Sequence, residues 1–302
     1  MRMPVKFTRF FSTTLYKPKL ELLGHRSLIK IQGDGAYDYC QGLMTNDIFR
    51  LQTEKSLFTL LLNSKGRVLY DCLIYKMDDH LLLECDKDDA SDLVKYFKIY
   101  LLRRKLDINI LDDICVWALF SSKPITMEFN SVSVFNDPRI PILGQRIISD
   151  KTSGIRNEIF LDERDNKLTY QQWRYINGVS EGSELLKGQS FPLEMNCDYL
   201  NGISFNKGCY IGQELTARTY HTGVTRKRIM PLIFDETPIG LDLNTDIYCE
   251  SELNTKRPPG KLRGLCGKVG IALLRIDECL KAQQLVVGGF KAKTFVPDWW
   301  KT

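Results

Sequence analysis

Lys207-Gly208-Cys209-Tyr210-Ile211-Gly212-Gln213-Glu214-Leu215-Thr216-Ala217-Arg218 sets one cysteine between two glycines at the mouth of a helix. Gly208 and Gly212 remove side-chain bulk around the thiol and permit backbone angles closed to other residues. Gln213, Glu214, Leu215, Ala217 and Arg218 are good helix formers, so a helix is expected from near Gly212. The unsatisfied N–H groups of a helix start favour negative charge, and Lys207 lies two residues before the cysteine. A thiol in that setting should ionise more readily than a free one. A thiolate is both a nucleophile and a soft-metal ligand. The run alone leaves both roles open, beside a third in which Cys209 only packs in a glycine-rich corner.

Outward from this run, the N-terminal half alternates strands with helices. Ser27–Gln32 reads as a strand, followed by a helix over Ala36–Met44 with Asp34 as its cap. Ser56–Leu62 and Val68–Lys76 are apolar runs joined by the turn signal Asn63-Ser64-Lys65-Gly66, which predicts a hairpin. A strand at His80–Cys85, an amphipathic helix over Asp88–Leu102 and a strand at Leu106–Ile110 close this unit. A second unit of the same style has strands at Ile114–Phe120, Ser131–Phe135 and Arg146–Ser149 and a helix over Leu168–Ile176. After Val224 the texture changes to short strands at Ile229–Phe234, Asp246–Cys249, Val269–Leu274 and Leu285–Phe295, with an exposed loop at Lys256–Gly260. Helices interleaved with hairpin-connected strands imply an α+β fold of ferredoxin-like packing, followed by a β-rich C-terminal domain.

The 302 residues suffice for a sizeable core split into two or three parts. No apolar stretch approaches the roughly 18–20 residues of a membrane span. The net charge of +5 is concentrated at the N-terminus, where Arg2, Lys6, Arg9, Lys17 and Lys19 precede the first acid, Glu21. Without those cations the chain is neutral, which argues against a nucleic-acid binder. Arg103-Arg104-Lys105 and Arg226-Lys227-Arg228 read as solvated basic faces. Residues 1–18, basic, hydroxyl-bearing and free of acids, have the composition of a mitochondrial transit peptide. The nine cysteines are scattered with no C-x-x-C spacing, so neither a disulfide framework nor a self-contained zinc or iron–sulfur site is expected. If this chain touches a cluster, it lends one ligand and a partner lends the rest.

Further segments flank the cysteine run: Pro192-Leu193-Glu194-Met195-Asn196, Asn201-Gly202-Ile203-Ser204-Phe205 and Thr219–Arg228 nearby, with Cys40-Gln41-Gly42-Leu43-Met44-Thr45-Asn46-Asp47 and Asn63-Ser64-Lys65-Gly66-Arg67-Val68 near the N-terminus. Together they resemble the tetrahydrofolate-binding iron–sulfur cluster assembly factors, the YgfZ-like branch of the aminomethyltransferase superfamily, and in particular its mitochondrial members. The resemblance implies two ferredoxin-like parts (19–113 and 114–223) and a C-terminal β-barrel-like domain (224–302) around a central channel, which holds folate in the superfamily. It implies a mitochondrial matrix factor that matures [4Fe–4S] proteins with an A-type iron–sulfur carrier. Cys209 would be the key thiol and a transient shared cluster ligand, within a site formed by Lys207, Gly208, Gly212, Gln213, Glu214 and Arg218. Implied clients include aconitase-like and lipoate-synthesising enzymes. No nucleic-acid or membrane partner is expected, and the chain alone should be a monomer and not a turnover enzyme.

The same resemblance places a tetrahydrofolate site at Asn46, Asp47, Asp71, Lys65 and Arg67. Two departures from the superfamily weaken it. An Asp-Asp pair becomes Tyr70-Asp71, and an Arg-x-Glu-x-Gly run becomes Arg174-Tyr175-Ile176-Asn177-Gly178. Losing a charge-assisted hydrogen bond at position 176 predicts weak or vestigial folate binding. Two alternatives remain: a folate-dependent aminomethyl or one-carbon transferase, and a hydrolase using Cys209 with His221 as base.

Overall fold

β3 (Ser56–Leu62) and β4 (Val68–Lys76) pair antiparallel around the Asn63–Gly66 turn, where the sequence predicts a hairpin. The computed structural model describes residues 18–123, 132–151, 168–252 and 257–300. The transit-peptide expectation therefore lies, but for its last residue, outside the described residues. Every residue of β3 is buried because both of its faces are covered. Phe58, Leu60 and Leu62 enter one apolar cluster, and Leu57 and Leu61 enter another. That explains a continuous apolar run where a half-exposed strand would alternate.

β2 (Arg26–Gln32), β5 (Leu81–Asp86) and β6 (Asp107–Leu111) complete a sheet of order β3-β4-β5-β2-β6. Helices α1 (Ala36–Gln41) and α2 (Ala90–Leu101) supply Tyr39, Cys40, Leu93 and Phe97 to the cluster on one face of this sheet. The other face meets a second sheet, β1-β7-β9-β8, formed by β1 (Lys19–Leu22), β7 (Ile114–Phe120), β8 (Ser133–Asn136) and β9 (Gln145–Asp150). Val116, Ala118 and Phe120 of β7 share a core with Leu28, Phe58 and Tyr75 of the first sheet.

β10 (Lys227–Phe234), β11 (Asp246–Cys249), β12 (Gly260–Cys266), β13 (Val269–Arg275), β14 (Leu285–Val287) and β15 (Phe290–Thr294) close into a barrel of order β10-β13-β12-β11-β14-β15. Met230, Leu232, Phe234, Leu262 and Leu274 fill it. α3 (Tyr170–Ile176), opened by a Thr169–Gln172 capping box, lies between the second sheet and the barrel. α4 (Gln213–Thr222) carries the end of the cysteine run, and α5 (Ile276–Lys281) follows β13. The α+β class with a C-terminal barrel is as the sequence predicts.

Several local expectations are corrected. α1 stops at Gln41 and not Met44, which instead bridges to Leu61. Its N-cap is Gly35, not Asp34, and no side chain caps it. The single strand expected at Leu285–Phe295 is two strands, because Gly288 and Gly289 turn the chain with φ of 54° and 90°. β1 and β12 were not expected at all. β1 lies at the start of the expected first part (19–113) yet completes the second sheet by pairing with β7. Gly260, placed in an exposed loop by the sequence, is buried in β12.

Candidate functional site

The sequence motifs converge on the loop that carries Cys209. From the Cys40–Asp47 segment, the carbonyl of Gly42 accepts from Ile211 N at 3.2 Å and that of Thr45 from Ser204 N at 3.0 Å. Thr45 Oγ1 donates to Gly202 O at 2.6 Å, and Asn46 Nδ2 donates to Asn201 O at 2.7 Å. The hairpin turn contributes the other side. Gly66 (φ 73°) and Gly212 (φ 79°) lie against each other: a Cβ on Gly66 would fall 2.9 Å from Gly212 O, and one on Gly212 would overlap Asn63 O. Both positions combine left-handed backbone with a close approach, and only glycine satisfies both. Gly212 is then the N-cap of α4, and the Gln213 side chain accepts from Tyr210 N at 3.1 Å.

Lys207 does not serve the thiol as the sequence suggested. Its Nζ donates to the carbonyls of Gln41, Met44 and Asn46 at 2.7, 2.7 and 2.8 Å, fixing the loop onto the end of α1. Burial pushes its pKa down to about 8. The three carbonyls, which need the donating ammonium, work in the opposite direction. Gly208 also differs from the expectation. Its φ lies outside the left-handed region, and a Cβ there would meet nothing within 4 Å. It leaves open space beside the thiol and relieves no crowding within the fold. Glu214 and Arg218 stand exposed on α4.

Cys209 is exposed, Cys115 and Cys266 are half-buried, and Cys40, Cys72, Cys85, Cys197, Cys249 and Cys279 are buried. Cys209 therefore does not pack in a corner. His221 sits on the last turn of α4, where its ring meets Tyr220 and Phe205 edge-on. Among the described residues no hydrogen bond joins Cys209 to His221, so the nucleophile–base pair of the hydrolase reading is not formed. Among the described residues, no group of three or more His, Cys, Asp or Glu side chains is placed to hold a metal ion.

Most of the proposed folate residues have partners within the fold. The amide of Asn46 is held by Phe58 O, Asn201 O and the Asp47 N–H. Asp47 caps a 3-10 helix at Ile48–Gln52 through Phe49 N and accepts from Gln41. Lys65 is a turn residue whose N–H bonds Asn63, and Arg67 reaches Gln189 O and the Phe191 ring. Asp71 lines a cavity of about 740 Å³, shared with His25, Arg174, Glu181, Glu184 and Cys266. Ile176 is not in that lining. It is buried in the apolar core.

Sequence reasoning missed what lies behind this cavity. Glu181 is buried and faces four guanidiniums: Arg139 at 2.7 Å, Arg146 at 3.1 Å, and Arg26 and Arg174 at 3.8 Å. Burial opposes its charge, but Arg174, Arg26, Arg139 and Arg146 prevail and hold its carboxyl well below the usual range. Glu84 pairs with Arg26, Asp137 with Arg139, and Glu184 with Arg174. Asp71 accepts from Gly182 N at 2.9 Å, and burial raises its pKa. A charged residue within an apolar strand, such as Glu84 in Leu81-Leu82-Leu83-Glu84-Cys85, was the available signal. Arg228, expected on a solvated face, is likewise buried in a bidentate pair with Asp198.

Comparison with known proteins bears on the family and the fold. The barrel, residues 226–302, matches the family described as CAF17, C-terminal beta-barrel domain. The mitochondrial iron–sulfur cluster assembly factor IBA57 of Mus musculus is 33% identical over 93% of this chain and 85% of its own length. That of Homo sapiens is 33% identical over the same shares. This chain belongs to the IBA57 family. A Neurospora crassa IBA57 homologue is 36% identical over 74% of the chain and 57% of its own length. The fold extends further: glycine cleavage system aminomethyltransferase T from Bartonella henselae superposes with a TM-score of 0.71 over 95% of this chain and 87% of that one. At 12% identity this likeness concerns the fold alone.

Proposed function

We propose that this chain acts in the mitochondrial matrix as an iron–sulfur cluster assembly factor, in which Cys209 lends one thiolate to a [4Fe–4S]-building complex with an A-type iron–sulfur carrier. The observation that carries this reading is the Cys209 loop itself. The one exposed cysteine of nine is held on a loop fixed from two sides, with open space at Gly208 beside it. A single donor holds no cluster alone, so the other thiolates come from the carrier. The N-terminus of α4 opens within the same run and favours an anionic cluster nearby. Family membership and the mitochondrial relatives support the pathway and the compartment.

Tetrahydrofolate fits this arrangement poorly. Asn46 and Asp47 hold the cysteine loop and its neighbouring turn, and the cavity lining carries seven carboxylates against Arg174, Lys187 and His25, with Arg26, Arg139 and Arg146 buried behind Glu181, so folate's own carboxylates would meet an excess of acids there. No aminomethyl-transfer step follows from these residues. Size-exclusion chromatography with an A-type carrier and iron tests the proposal. Wild type should co-elute with the carrier and iron in one complex, and Cys209→Ser should lose the iron. A mutant that co-elutes with undiminished iron would remove Cys209 from the ligand set.

A further inference from the structure

The end of α2 carries a feature that the cysteine site does not use. Lys98, Ile99, Tyr100, Leu102, Arg103, Arg104 and Lys105 are all exposed, and no acid interrupts residues 98–105. Ile99 is 70% exposed and Leu102 is 89% exposed. Leu102 also has φ 50° and ψ −114°, and Arg104 N donates to Leu101 O at 3.0 Å. These angles are those of the first central position of a type II′ turn, which glycine dominates. The fold thus holds a leucine out in solvent in a conformation that strains it, and such strain gathers at functional positions.

We infer that this tip docks the protein peripherally on an anionic phospholipid surface. The four cations match headgroup charge, and Ile99, Tyr100 and Leu102 match shallow insertion at the acyl boundary. A protein partner would need roughly 800 Å² of complementary face, whereas this is a small protruding turn ringed by cations. The tip adjoins the cysteine site through α1. Arg104 lies over the Tyr39 ring at 5.6 Å, and the carbonyls of Gln41 and Gly42 anchor Lys207 and Ile211. The sequence alone gave a solvated basic run here; the exposed apolar neighbours change its meaning. No span is implied, since among the described residues no helix is long and apolar enough to cross a membrane.

Vesicle co-sedimentation of the full chain tests this, with phosphatidylcholine vesicles compared against vesicles that also contain phosphatidylglycerol. The N-terminal cations are common to every variant, so differences between variants report on the tip. Wild type should prefer anionic vesicles and be released by salt. Arg103→Gln with Lys105→Gln should weaken partitioning about 25-fold, since each cation near such a surface contributes roughly fivefold. Leu102→Gly should also weaken it while melting no lower than wild type, because glycine relieves the turn. Equal binding to both vesicle types, variants that bind like wild type, a Leu102→Gly that melts clearly lower, or a tip that holds an acidic protein but no vesicle would each overturn the inference.

Discussion

Gly212→Ala should both destabilise the protein and disable the cysteine loop, whereas Gly208→Ala should leave the fold intact. At Gly212 an alanine must adopt φ 79°, and its Cβ would overlap Asn63 O and sit 3.0 Å from Leu62 Cβ. Left-handed backbone costs a non-glycine residue about 1–2 kcal/mol, and overpacking a tight site costs about 1–3 kcal/mol. The sum is roughly 2–5 kcal/mol. For 302 residues, an unfolding entropy of about 0.6 kcal/mol/K converts that to a fall in melting temperature of roughly 3–8 °C. Gly208→Ala meets nothing within 4 Å and should change stability by less than about 0.5 kcal/mol. Differential scanning calorimetry reads the first quantity and carrier co-elution reads the loop. If Gly212→Ala melts with wild type and still binds the carrier, the interlock of the hairpin turn with the cysteine loop does not hold the site. If Gly208→Ala melts normally but fails to bind the carrier, the open space beside the thiol is where the partner approaches.

Glu181→Gln should lose about 3–5 kcal/mol near neutral pH, because it leaves buried guanidiniums without their shared anion. Since the folded carboxyl lies well below its ordinary value of 4.5, its contribution is present above that pH and is lost as pH falls below it. The gap between mutant and wild type in urea unfolding should therefore shrink on acidification; a constant gap would contradict the assignment. Ile176→Glu places a carboxylate in the apolar core and should destabilise by several kcal/mol without creating a folate site; calorimetry showing tighter tetrahydrofolate binding would refute that placement. Alkylation mapping near neutral pH should label Cys209 first among the nine thiols, since the others are buried or half-buried; prior labelling of any other cysteine contradicts its exposure.

Elements whose apolar pattern is local were legible in the sequence, and those that depend on distant contacts were not. β3 and β4 announced themselves by two apolar runs and a turn signal. β12 did not, because its buried positions include Gly260, which faces Leu274 inside the barrel, and Gly264, which faces Tyr175 of α3 outside it; added side chains would overlap both. A strand with glycine at its buried positions shows no apolar alternation. β1 is four residues long and is defined by a partner almost a hundred residues away. At the site, the run around Cys209 was found from its glycines, and the start of α4 fell where expected. The roles of Lys207 and Asn46 were not legible, because each is set by backbone groups distant in sequence. The Arg26, Arg139, Arg146 and Glu181 cluster is assembled from four separate segments, and only an isolated charge in an apolar strand hinted at it.

The most direct test of the central claim is the visible absorption spectrum of this protein mixed with a cluster-loaded A-type carrier, recorded for wild type and for Cys209→Ser. Thiolate-to-iron charge-transfer bands report which sulfurs bind the cluster. A Cys209 that is a ligand predicts bands in the wild-type complex that differ from those of the carrier alone, and Cys209→Ser should abolish or shift that difference while the protein melts as wild type. Identical spectra for the two proteins, with the carrier bound in both, would contradict it.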